Sequence, residues 1–184
     1  MFRIETEVDK ERRTELGERL RETNVERSPV MRTLRDSPLG REEPLQVWLL
    51  EEATGALAGG LVGRTWARWL HVDLLWVDPS HRGAALGSRL LAEAERVARD
   101  ERDCARARLE TWDFQAPGFY RKQGYEVAGE VTDYPPGVTE YILVKSLRGS
   151  GTSEDGREDR EGPEGRGGPG GRDGRGRLLR RFGR

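Results

Sequence analysis

Residues 1–147 predict an α+β (mixed α/β) domain in which helices cover a central sheet, and three observations predict it. Stretches with an apolar residue at every second position alternate with stretches whose apolar residues recur three and four apart, so strands and helices interleave. Breakers such as Thr54-Gly55, Asp78-Pro79 and Pro135-Pro136-Gly137 separate these stretches at short intervals. The large apolar side chains are concentrated ahead of residue 148, and no internal repeat is visible.

Element by element, Phe2, Ile4, Thr6 and Val8 alternate with charged residues and predict a first strand. Asp9 stands where an N-cap belongs, and Leu16 and Leu20, four apart among charges, predict a surface helix. Pro29, Pro38 and Pro44 bracket a short helix around Met31 and Leu34. Leu45–Glu51 and Ala56–Arg64 form a hairpin about Thr54-Gly55, and Leu70–Val77 is a further strand. Ser88–Asp100 is a helix with the stripe Leu90, Leu91, Ala94, Val97 and Ala98. A strand over Ala105–Trp112, a short helix over Gln115–Gln123 and strands over Tyr125–Val131 and Glu140–Val144 complete the order βα(α)βββαβαββ.

Apolar residues make up 34% of the 184-residue chain and charged residues 35%, a poorer core supply than the roughly 45–50% and 25% of an average soluble domain. The deficit is uneven: 12 of the 24 glycines fall in residues 148–184, where Leu178, Leu179 and Phe182 are the only large apolar side chains. The tail is therefore read as a disordered Gly/Arg/Glu-rich segment, and residues 1–147 as the domain. Its Arg175, Arg177, Arg180, Arg181 and Arg184 would suit RNA, an anionic membrane or an acidic partner, but a solvated extension is the reading adopted, with the tail's partner unknown.

The body carries a net charge of −4 and the tail +3, which argues against a nucleic-acid binder in the body. Cys104 is the single cysteine, so an intramolecular disulfide is excluded, no thiolate metal site can be built, and no metal is expected. No apolar run reaches about 18 residues and the first residues lack an apolar leader core, so a cytoplasmic setting without a transmembrane segment is expected.

The chemistry concentrates between Leu70 and Asp100. Asp78-Pro79-Ser80 stops a strand, His81-Arg82-Gly83-Ala84-Ala85-Leu86-Gly87 is a loop of small residues, and Ser88 lies in the following helix. The first turn of a helix leaves N–H groups unpaired and carries partial positive charge, which makes this loop a pyrophosphate site. Ser88-Arg89 after Gly87 lacks the P-loop lysine, and the three glycines of a dinucleotide fingerprint are missing.

Arg82-Gly-Ala-Ala-Leu-Gly87, preceded by Val77-Asp-Pro and followed by Leu90-Leu91, resembles the coenzyme A signature of the GCN5-related N-acetyltransferase (GNAT) family. Ala85 replaces the first obligatory glycine of that signature and is expected at the helix start with helical dihedrals, where only a methyl is added. A second run, Asp113-Phe-Gln-Ala116-Pro-Gly-Phe-Tyr120-Arg-Lys-Gln-Gly124-Tyr125, has the family's spacing near the thiol, with Asp113 in place of asparagine. The resemblance implies a mixed, mostly antiparallel sheet flanked by helices over residues 1–147.

It also implies an enzyme that moves an acetyl group from acetyl-CoA to a primary amine of a small molecule, protein or peptide by direct attack. The cofactor would be held by Leu75, Trp76 and Val77 through their backbone, by Arg82, Gly83, Ala84, Ala85, Leu86, Gly87 and Ser88 at the diphosphate, and by Asp113 and Ala116 along the arm. Tyr120 takes the family's usual acid role. A base must remove a proton from the ammonium before attack. Asp73 and His71, on one face of their strand, and Glu110, on the neighbouring strand, are the three candidates. An aromatic and acidic acceptor site is sought in Trp112, Asp133 and Tyr134. Partners are thus an amine-bearing acceptor and, as an option, a second copy in a homodimer. The alternative of another class is a non-catalytic acyl-CoA-binding sensor or interaction module.

Overall fold

The structure, a computed structural model, describes residues 2–148; the tail from residue 149 onward, with its basic cluster, lies outside the described residues. The elements are α1 (Lys10–Arg27), α2 (Pro29–Arg35), β1 (Glu43–Leu50), β2 (Leu57–Trp66), β3 (Trp69–Val77), α3 (Leu86–Arg96), β4 (Arg106–Trp112), α4 (Pro117–Lys122), β5 (Glu126–Val131) and β6 (Glu140–Ser146). The six strands form one sheet in the order β1-β2-β3-β4-β6-β5. Only β3 and β4 pair in parallel. A mixed, mostly antiparallel sheet with helices beside it is therefore what forms.

The predicted first strand is absent. Residues 2–8 make no ladder, and Phe2, Ile4 and Val8 are exposed. Alternation makes a strand only where a neighbouring edge supplies hydrogen bonds, and here Glu5 instead pairs with Arg3 and Arg12. The cap just beyond is as expected: Asp9 Oδ1 accepts from Arg12 N at 2.9 Å and opens α1, which buries none of its residues. Ser28 ends α1 and caps α2, its hydroxyl accepting from Met31 N.

The core lies between one face of the sheet and α3. Leu90, Leu91, Ala94 and, in a wider final turn, Ala98 present the apolar stripe of the helix to Leu61, Leu70, Val72, Leu109 and Leu143, all at most 5% exposed. Each such side chain contributes roughly 1.5–3 kcal/mol by leaving water. A part-buried ion pair ties β6 to α3 at the edge of this core: Lys145 Nζ donates to Glu95 Oε2 at 2.6 Å, and Lys145 also lies over the Tyr125 ring.

Two irregularities position the site. In β3, Asp73 has no counterpart in β2, because Val62 pairs with Leu74 while Gly63 pairs with Val72. The parallel ladder between β3 and β4 runs only from Trp69 to Val72 opposite Arg106 to Leu109. Beyond the bulge the two strands share no ladder, and a gap opens between their C-terminal ends. Among the described residues, no helix is long and apolar enough to cross a membrane.

Candidate active site

The gap between β3 and β4 is continuous with the turn ahead of α3, and together they form a cleft of about 790 Å³. Asp78 builds its mouth: Oδ1 accepts from Ser80 N at 2.8 Å and from the Ser80 hydroxyl, bonds that hold its carboxyl below the usual carboxylate range. Arg82 Nε then donates to Val77 O at 3.2 Å, folding the loop back on the strand end.

Gly83 and Ala85 both have positive φ, 88° and 57°. For Ala85 this corrects the expectation of helical dihedrals. It is the left-handed N-cap of α3, because the chain must reverse before Leu86 can start the helix. An L-residue there costs roughly 1–2 kcal/mol. Among the described residues, no protein acceptor takes the backbone N–H groups of Gly83 to Ser88. Those donors, at the amino end of an 11-residue helix, fit a diphosphate by the chemistry of helix termini.

From β3, Leu75, Trp76 and Val77 line the cleft with Asp73; from the turn come Arg82, Gly83, Ala85, Leu86, Gly87 and Ser88, with Ala84 between them. Glu110 joins from β4, and Ala116 and Tyr120 from the start and middle of the α4 segment. Tyr120 is buried against Phe119 and Tyr125, ring centroids 5.0 and 5.9 Å away, and burial pushes its phenol up from 10.

Both carboxylates in the cleft are ion-paired. Asp73 accepts from Arg64 Nη1, and Glu110 accepts from Arg108. His71 is not among the lining side chains. It stands in a cross-strand row between Arg64 and Arg108, and burial first, then those two cations, lower its pKa from 6.5. The imidazole is therefore neutral at pH 7.

Four other residues singled out from the sequence do not meet in the cleft. Asp113 Oδ2 accepts from Thr139 N at 3.1 Å, so its carboxylate is spent on tying β4 to the loop before β6. Asp133 Oδ1 accepts from Gly137 N within its own turn, and Tyr134 beside it is exposed. Trp112 stacks on Phe114, ring centroids 5.5 Å apart, and only Phe114 reaches the cleft. Sequence reasoning missed Phe114, Gln115 and His81. Gln115 Oε1 accepts from Thr111 Oγ1 and Trp112 N, and His81 is held by Glu51 at 3.2 Å. No periodic pattern marks such loop residues, and His81 in addition meets a partner 30 residues away in the chain.

The acetyltransferase (GNAT) family profile matches residues 10–125. The blasticidin-S acetyltransferase of Streptomyces morookaense is 54% identical over 131 residues, 70% of this chain and 96% of that protein. An acetyltransferase of Agrobacterium fabrum is 38% identical over 76 residues, 41% of this chain and 55% of the relative. The crystal structure of an acetyltransferase from Bacillus cereus superposes with a TM-score of 0.65 at 33% identity, covering 79% of this chain and 97% of that one. With the turn before α3, the gap beside β4 and these likenesses in agreement, the chain belongs to the GNAT acetyltransferase family and takes acetyl-CoA as its acyl donor.

Proposed function

We propose that this enzyme acetylates a primary amine by direct attack within a ternary complex, and that blasticidin S is the first acceptor to test. The choice of acceptor rests on the 54% identity to the Streptomyces morookaense enzyme of that name. The observation that carries the mechanism is the shared cleft: Asp73, Glu110 and Tyr120 border the same space as the turn from Arg82 to Ser88.

In this reading the N–H donors of the turn fix the diphosphate, and the acyl end lies toward Tyr120. Asp73, turned to the cleft at the bulge, takes a proton from the substrate ammonium directly or through water. The freed amine forms a C–N bond to the acetyl carbon as the C–S bond breaks, and the second proton that the nitrogen sheds on becoming an amide returns to the Tyr120 oxygen, replacing the one given to the thiolate. The thiolate leaves with a proton from the Tyr120 hydroxyl, which burial keeps protonated. Glu110 and Arg108, and Arg64 beside Asp73, set the local field. Mono-acetylated product by mass spectrometry together with one thiol released per acceptor consumed is expected with blasticidin S. An amine panel without turnover, despite saturable acetyl-CoA binding by calorimetry, overturns the proposal.

A further inference from the structure

The sheet face opposite α3 carries a cross-strand row whose side chains the transfer chemistry does not use. Gly60 of β2 stands between Trp48 of β1 and Trp76 of β3, paired with each. Glycine inside a strand is unfavourable unless backbone or ring must come close. Here a Cβ on Gly60 would stand 2.7 Å from Trp48 Cε3 and 2.9 Å from Cζ3. The Trp48 indole therefore rests on the sheet over a position without a side chain. It is nonetheless 51% exposed, and Trp76 is 46% exposed. The helices of the core lie on the other face, and α1 buries none of its residues.

This row is continuous with the cleft, because Trp76 is one of its walls and Asp73 lies three residues earlier on β3, roughly 10 Å along the strand. We propose that Trp48 and Trp76, flanking Gly60, form a stacking platform for a planar ring of the acceptor, whose amine reaches the cleft at Asp73. The inference rests on the acetyl-transfer reading above for the amine end only. The exposed indole of Trp48, laid over Gly60 beside Trp76, offers a flat surface to a flat ring, and stacking on such surfaces tolerates different ring chemistries. The Asp73 and Glu110 carboxylates at the cleft end match an ammonium group rather than an acid. The platform thus selects acceptors that join a planar ring to a primary amine through a spacer of several bonds.

The test uses the full chain saturated with CoA and two probes, an indole bearing a five-carbon aminoalkyl chain and n-pentylamine. Calorimetric titration should show the indole probe binding about tenfold more tightly than n-pentylamine, an advantage lost in Trp48→Ala and largely kept in Trp48→Phe. Equal affinity for the two probes, or an advantage that survives Trp48→Ala, overturns the platform. Circular dichroism melting of each variant separates loss of fold from loss of stacking. Thiol release with the same probes and acetyl-CoA reads the other proposal: binding with the stated preference but no turnover sinks the transfer mechanism and leaves the platform standing.

Discussion

Arg64 Nη1 donates to Asp73 Oδ1 at 2.5 Å, reaching from β2 to the bulged residue of β3. The pair fixes the one carboxylate that the bulge turns toward the cleft. Arg64 is also near Glu42, so its charge is shared. Asp73→Asn keeps the shape and removes the proton acceptor. Turnover is expected to fall roughly a hundredfold, the low end for general base catalysis by a group already ion-paired, with the acetyl-CoA dissociation constant within twofold. Steady-state kinetics on an amine acceptor beside calorimetry checks this. A Glu110→Gln protein that loses more than the Asp73 variant would move the base to β4.

Tyr120 should behave as an acid that never runs out of protons in the working range. Burial raises its pKa above 10, so the phenol stays neutral as pH rises, and activity should not decline on its account below about pH 10. Tyr120→Phe is expected to lower kcat by tenfold or more and to leave acetyl-CoA affinity unchanged. An alkaline decline centred below pH 9 that disappears in the Phe protein would contradict the assignment.

His71 links stability to acid. Its native pKa is lowered from 6.5, chiefly by burial and then by Arg64 and Arg108, so the unfolded chain binds the proton more readily. Stability is expected to be flat with respect to this group above pH 6.5 and to be lost as pH falls below it. His71→Asn should flatten that fall in urea titrations at pH 7 and pH 5, and an unchanged difference between the two would place the sensitivity elsewhere.

Ala85→Gly tests the left-handed cap. With φ at 57°, removing the methyl relieves strain, and a gain of about 1 kcal/mol is expected, seen as a rise of roughly 2–4 °C in Tm. Acetyl-CoA binding should tighten or stay the same. A fall in both quantities would mean that the methyl of Ala85 contributes contacts worth more than the strain.

The Glu95–Lys145 pair should be costly to break and cheap to replace whole. Lys145→Met leaves Glu95, buried on α3, without its cation, and about 3 kcal/mol of stability is expected to go. Adding Glu95→Leu should recover most of it. Chemical denaturation of the two proteins reads the difference, and an undiminished loss in the double variant would show that packing, not charge, is at stake.

Much of this protein was legible along the chain. The Asp9 cap, the hairpin over Thr54-Gly55, the α3 stripe and the Arg82–Ser88 turn are local features, set by dihedral preferences and hydrogen bonds within a few residues. The first strand failed for a complementary reason, since residues 2–8 have the right pattern but no edge to pair with. Ala85 departs from helical dihedrals because the reversal that demands positive φ depends on where β3 ends relative to α3.

Residue order along the chain suffices for the interleaved elements, the two motif runs and the set of groups able to handle protons. Which of them meet is a matter of packing: Asp73 and Glu110 face the cleft while His71 stands between two arginines, Asp113 is occupied by Thr139, and Trp48 lies on Gly60 beside Trp76. Periodicity records which face of an element a residue is on, but a β-bulge, the end of a ladder and the register between strands are settled by pairing between segments far apart in the chain.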